Sequence, residues 1–96
     1  MAHKPQVELR QSVPMKTILI VDDEAVIRDL CSRALKGYDV VQAGNGQDAL
    51  SRFEQGGIDV VLTDVMMPGM DGIELLKRIK GQEPTIVVIE IGRAHV

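Results

Sequence analysis

Short apolar runs alternate with amphipathic stretches along this chain. Ile18-Leu19-Ile20-Val21 is continuous and rich in β-branched residues, which fits a strand buried on both faces, as parallel strands are. It stops at Asp22 and Asp23. Across Glu24 to Lys36 the apolar pairs Val26 and Ile27, Leu30 and Cys31, and Ala34 and Leu35 recur at four-residue steps. That spacing predicts a helix with one buried stripe, and Gly37 supplies its stop. The pattern then repeats. Tyr38 to Ala43 reads as a strand, Gly44-Asn45-Gly46 as a turn, and Ala49, Leu50 and Phe53 as the stripe of a second helix ending at Gly56-Gly57. A third strand is predicted over Asp59 to Thr63. After the Met67-Pro68-Gly69 break, Ile73, Leu75, Leu76 and Ile79 mark a third helix, and Thr85 to Ile89 form a fourth strand after Pro84.

Strict alternation of strand and helix with short connections predicts an α/β fold, a doubly wound parallel sheet with right-handed crossovers and helices on both faces. Such folds bind ligands at the carboxyl ends of their strands, near the point where the strand order reverses. Residues 1 to 14 mix Lys, Gln, Glu, Arg and two prolines without periodicity and are expected to form a flexible leader.

Composition narrows the function classes. The chain has 96 residues, enough for one domain, and its 45% hydrophobic content suits a globular core. A formal net charge of -3 offers no basic surface for a phosphate backbone, which argues against direct nucleic-acid binding. One Phe, one Tyr and no Trp make no stacking platform for bases or sugars. Cys31 is the single cysteine, so no internal disulfide can form. No apolar run precedes a cleavage signal, and the expected location is the cytoplasm, away from membranes.

The acids carry the chemistry. Asp22 and Asp23 end the first predicted strand and Asp64 ends the third, so a parallel sheet brings carboxylates 41 and 42 residues apart in sequence to one edge. Three carboxylates in one pocket repel, and a hard divalent cation such as Mg²⁺, which takes a few carboxylates plus water and phosphate oxygens, is the simplest remedy. With the cation neutralising phosphate oxygens, one carboxylate can act as nucleophile and accept a phosphoryl group as an acyl phosphate. The structural alternative is that these residues merely cap helices and tolerate exposure at strand ends. Two consecutive strand-end acids with a third at an equivalent end weigh against it.

At this point the sequence resembles the response-regulator receiver family of two-component systems. Ile18-Leu19-Ile20-Val21-Asp22-Asp23-Glu24 is similar to that family's first strand and acid pair. Val61-Leu62-Thr63-Asp64-Val65-Met66-Met67-Pro68-Gly69-Met70-Asp71-Gly72 is similar to its phosphoacceptor segment. The likeness runs from about Lys16 to Ile89. It implies a flavodoxin-like receiver fold over residues 15 to 89, phosphorylation of Asp64, and an acidic pocket shaped by Asp22 and Asp23. It further implies Mg²⁺ held by Asp23, Asp64 and the backbone carbonyl of Met66, with Asp22 reaching the ion through water. The implied donor is a histidine kinase or phosphotransfer protein. The chain would then be a signalling domain rather than an enzyme, its only chemistry being its own phosphorylation and dephosphorylation, and a separate output domain, commonly DNA-binding, would read the switch.

The resemblance fails beyond the fourth strand. A switch hydroxyl, a fifth strand ending in Lys, and a last helix are expected in the family, yet the hydroxyl position falls near Gly92 and the chain ends in Arg93-Ala94-His95-Val96. Residues 90 to 96 read as a non-native tail, because Glu90 suits a buried strand poorly. With the sheet ending at strand four, its edge and one apolar face would be open, predicting a homodimer or domain-swapped oligomer through that strand. His3 and His95 lie far from the acids, and Cys31 is expected to be core. Two alternatives remain: a metal-dependent phosphatase-like hydrolase with Asp64 as nucleophile, or an inactive oligomerising fragment. The hydrolase would want an acid two residues after Asp64, where Met66 stands.

Overall fold

The apolar run after Lys16 forms β1 (Thr17–Val21) in a computed structural model that describes residues 15–91. α1 (Ala25–Ala34), β2 (Asp39–Ala43), α2 (Gly46–Glu54), β3 (Val60–Asp64), α3 (Gly72–Gln82) and β4 (Val87–Ile91) follow. Every pairing is parallel, and the strands lie in the order β2-β1-β3-β4. The predicted flavodoxin-like doubly wound sheet is therefore present through its fourth strand. Its two central strands are β1 and β3, with Leu19 opposite both Val41 and Val61.

Side chains alternate across a strand, so Leu19 and Val21 face one side of the sheet and Ile18 and Ile20 the other. The first side is the main core. There Leu19, Val21 and Val61 pack with Ala49 and Phe53 of α2 and Leu75 and Ile79 of α3, all buried. On the second side, Ile27 and Cys31 of α1 border a cavity of about 190 Å³ with Ile20, Leu62 and Ile91. No residue of α1 is fully buried.

Three expectations need correction. The four-residue spacing puts Val26 and Leu30 on the buried stripe of the first helix, yet they are 70% and 56% exposed. One residue is about 100° around a helix, and it is Ile27 and Cys31 that turn to the sheet, leaving their neighbours on the open side. Cys31 is half-buried, lining the cavity rather than the core. The fourth strand starts two residues later than Thr85 and runs to Ile91, because Glu83 to Ile86 form a turn closed by the Ile86 N–H on the Glu83 carbonyl (3.1 Å). Lys80 Nζ ties that turn to α3 by donating to the carbonyls of Pro84 and Ile86. Glu90 thus lies inside the strand, opposite Thr63. Its Oε2 is buried with no hydrogen-bond partner among the described residues, while the strand around it, expected to be buried, is exposed at Val87, Ile89 and Ile91. The expectations for the leader, for Gly92 and for His3 and His95 lie outside the described residues.

Candidate acidic site

The parallel pairing of β1 with β3 places Val21 opposite Thr63, so the residues that follow, Asp22 and Asp64, emerge side by side at the carboxyl edge. The Asp22 N–H donates to the Ala43 carbonyl (3.2 Å), which extends the β1–β2 ladder by one residue and fixes where Asp22 sits. Asp22 and Asp64 are buried, and Asp23 is exposed. One carboxylate oxygen from each of the three lies within 4.8 Å of the others. The predicted convergence of Asp22, Asp23 and Asp64 is therefore observed.

The turn chemistry argues against helix capping as the reason for these acids. The caps that form are elsewhere: Asn45 accepts from the Asp48 N–H at the start of α2, and Asp71 accepts from the Glu74 N–H at the start of α3. α1 begins after Glu24, whose side chain makes no capping bond. Asp22 Oδ1 instead accepts from the Glu24 N–H (2.8 Å), closing the turn that carries Asp23. Asp64 Oδ1 accepts from the Met66 N–H (3.2 Å), so the loop after β3 folds back on the carboxylate. Met66 itself is 65% exposed, while Met67 is buried in the core and Met70 is half-buried.

Two features of the site are not legible in the sequence. Gly72, the first residue of α3, lies against the strand it follows: its N–H donates to the Val65 carbonyl (3.1 Å), and a Cβ there would stand 2.3 Å from the Asp64 carbonyl oxygen. Arg28 of α1 donates from Nη1 to the Asp22 carbonyl (2.7 Å). A glycine at a helix start is a weak signal of close approach, and an Arg on a helix reads as a solvated charge, so spacing alone finds neither.

The donor set suits a hard cation. The three clustered donors are carboxylate oxygens, and opposite ligands of a Mg²⁺ ion bound at 2.0–2.1 Å are about 4 Å apart. Donors within 4.8 Å of one another lie close to that span. An ion there would also relieve the repulsion between Asp22 and Asp64, two acids buried at the carboxyl ends of adjacent strands.

Comparison with known proteins agrees with this geometry. The family model of the response regulator receiver domain matches residues 18–95. The phosphate regulon transcriptional regulatory protein PhoB of Pseudomonas aeruginosa is 47% identical over 73 residues, covering 74% of this chain and 32% of that protein. A cyclic di-GMP phosphodiesterase of Thermotoga maritima is 42% identical over 77 residues, covering 78% of this chain and 20% of that one. The chain thus spans about a fifth to a third of the length of such curated relatives. Among solved structures, response regulator protein TrrA of Thermotoga maritima, in complex with Mg²⁺ and BeF, superposes with a TM-score of 0.79 at 39% identity, covering 81% of this chain and 70% of that one.

Proposed function

This chain belongs to the response regulator receiver domain family, and on that premise we propose that Asp64 is the phosphoacceptor, taking its phosphoryl group from the phosphohistidine of a histidine kinase or phosphotransfer protein. The observation that carries the proposal is the buried Asp64 at the carboxyl end of a central strand, with carboxylate oxygens of Asp22 and Asp23 within 4.8 Å. A carboxylate oxygen of Asp64 attacks phosphorus, the P–N bond breaks, and its electron pair returns to the departing imidazole. The Met66 N–H on Oδ1 orients the nucleophile. Asp23, Asp64 and the Met66 carbonyl would hold Mg²⁺, with Asp22 reaching it through water. Bound there, the ion supplies neutralisation of charge on the phosphoryl oxygens.

The phosphate adds roughly -1.5 to -2 charge where one carboxylate stood, and an output domain reads the change. Transcriptional regulators among the relatives favour a DNA-binding output in the whole protein, acting in the cytoplasm. The hydrolase reading lacks the acid it needs two residues after Asp64. Intact mass after incubation with acetyl phosphate tests the proposal. A phosphate-sized gain is expected with Mg²⁺ and none with EDTA. A gain that persists in EDTA would sink the metal's role, and no gain from a folded, cation-binding chain would favour the inactive-fragment reading.

We also propose that this chain self-associates through β4. Val87, Ile89 and Ile91 alternate along that strand on one face and are 53%, 48% and 43% exposed, beside an edge that no other described strand covers. Light scattering should report a mass at or above two chains, falling to one chain in Ile89→Lys. A parent that stays monomeric at high concentration removes the idea.

A further inference from the structure

Arg28 lies at the end of the first turn of α1, where a cation opposes the helix dipole. No acid offsets it in that turn. Its position is accounted for by what it reaches. Nε donates to Gln42 Oε1 on β2 (3.1 Å) and Nη1 donates to the Asp22 carbonyl (2.7 Å). Gln42 is held in turn, because its Nε2 donates to Ser32 Oγ (3.0 Å) and Asp29 Oδ1 (3.3 Å), both on α1. Gly44 makes room for the guanidinium: a Cβ there would stand 3.3 Å from Arg28 Nη1.

The backbone of Asp22 is therefore gripped on both sides. Its N–H is fixed by Ala43, its carbonyl by Arg28, and its carboxylate by the Glu24 N–H. Asp23, exposed and one residue further on, takes its place from this turn. Resting on the reading of the acids as a cation site, we propose that Arg28 is a positioning residue that sets cation affinity by clamping the Asp22–Asp23 turn against β2, without touching the ion.

Electrostatics and positioning predict opposite signs here. A guanidinium hydrogen-bonded to the Asp22 carbonyl repels a cation held by the same turn, so deleting its charge alone should tighten binding. Loss of the clamp should weaken it, and removal of such supporting contacts typically costs roughly 10- to 100-fold in metal affinity.

The test is Mn²⁺ binding to the full chain, followed by the EPR signal of the free ion, with Mg²⁺ as competitor and circular dichroism as the check on folding. Arg28→Ala is expected to bind about tenfold more weakly. Arg28→Lys keeps one donor for the carbonyl but lacks the fork to serve Gln42 as well, and should weaken binding by about threefold. Ser32→Ala cuts the same network away from Asp22 and should leave affinity within about twofold while lowering thermal stability. Should Arg28→Ala not fold, the Lys variant carries the result. Unchanged or tighter binding in the Arg28 variants, or an equal loss in Ser32→Ala, overturns the role of Arg28. A folded parent that binds neither cation overturns the cation site itself and the inference with it.

Discussion

Asp64→Asn should abolish the phosphate-sized mass gain seen in the parent with Mg²⁺ and acetyl phosphate, while leaving the fold in place. The amide is isosteric, and its oxygen can still accept from the Met66 N–H, but a neutral amide is not a nucleophile toward phosphorus. Stability moves in a direction that a purely structural Asp would not produce. Asp64 is one of three acids whose oxygens lie within 4.8 Å of one another, so neutralising it without cation removes like-charge repulsion. The Asn variant should therefore melt higher than the parent in EDTA, and the gap should narrow in Mg²⁺, which relieves the parent and has one ligand fewer in the variant. Retention of the mass gain in Asp64→Asn would shift the acceptor to another residue, and fragmentation mass spectrometry would locate it. Equal melting of the two proteins in EDTA would mean that the three acids do not repel in the folded chain.

The second large effect concerns two glycines on one helix. Gly72→Ala places a Cβ 2.3 Å from the Asp64 carbonyl oxygen and 2.9 Å from Val65 Cα, both backbone atoms with no rotamer to yield. The start of α3 must move off β3 by about an ångström, taking the Asp64 loop with it, at an expected cost of about 2–4 kcal/mol. For a domain of this size that lowers Tm by roughly 10–20 °C. At Gly81, near the other end of α3, an added Cβ would meet nothing within 4 Å. Gly81→Ala should stabilise by about 0.5–1 kcal/mol, because Ala loses less backbone entropy in a helix. Chemical denaturation of the two variants checks the pair. Like signs would mean that the contact at Gly72 is relieved without displacing the helix.

What the sequence reveals and what it hides follow from the range of each signal. β1 and β3 are legible because a short aliphatic run bounded by acids admits few readings, and α2 because Ala49, Leu50 and Phe53 keep one face. The site acids are legible because strand ends define an edge in any parallel sheet, and the motif around Asp64 then selects the chemistry. The rotation of α1 is not: paired apolar residues four apart describe a broad stripe, and only packing decides that Ile27 and Cys31 face the sheet while Val26 and Leu30 do not. The start of β4 is equally hidden. Pro84 marks a break without saying how long the following turn runs, and that turn is held by Lys80 from the preceding helix. Arg28 and Gly72 act through distances between elements, which no local pattern encodes.

The strand order has a consequence for how the chain is made. β1 is synthesised first yet lies in the middle of the sheet, and its partner β3 is about forty residues away, with Ile18 opposite Val60. At roughly 5–20 residues per second, a ribosome exposes β1 for about 2–8 s before β3 can pair with it. During that interval Ile18, Leu19, Ile20 and Val21 form an aliphatic strand that β2 can pair on one side only, leaving the edge meant for β3 open to a neighbouring chain. The polar residues that flank it, Lys16 and Thr17 on one side and Asp22, Asp23 and Glu24 on the other, act as gatekeepers in that window. The acids of the site thus guard the nascent strand before the pocket they later form exists.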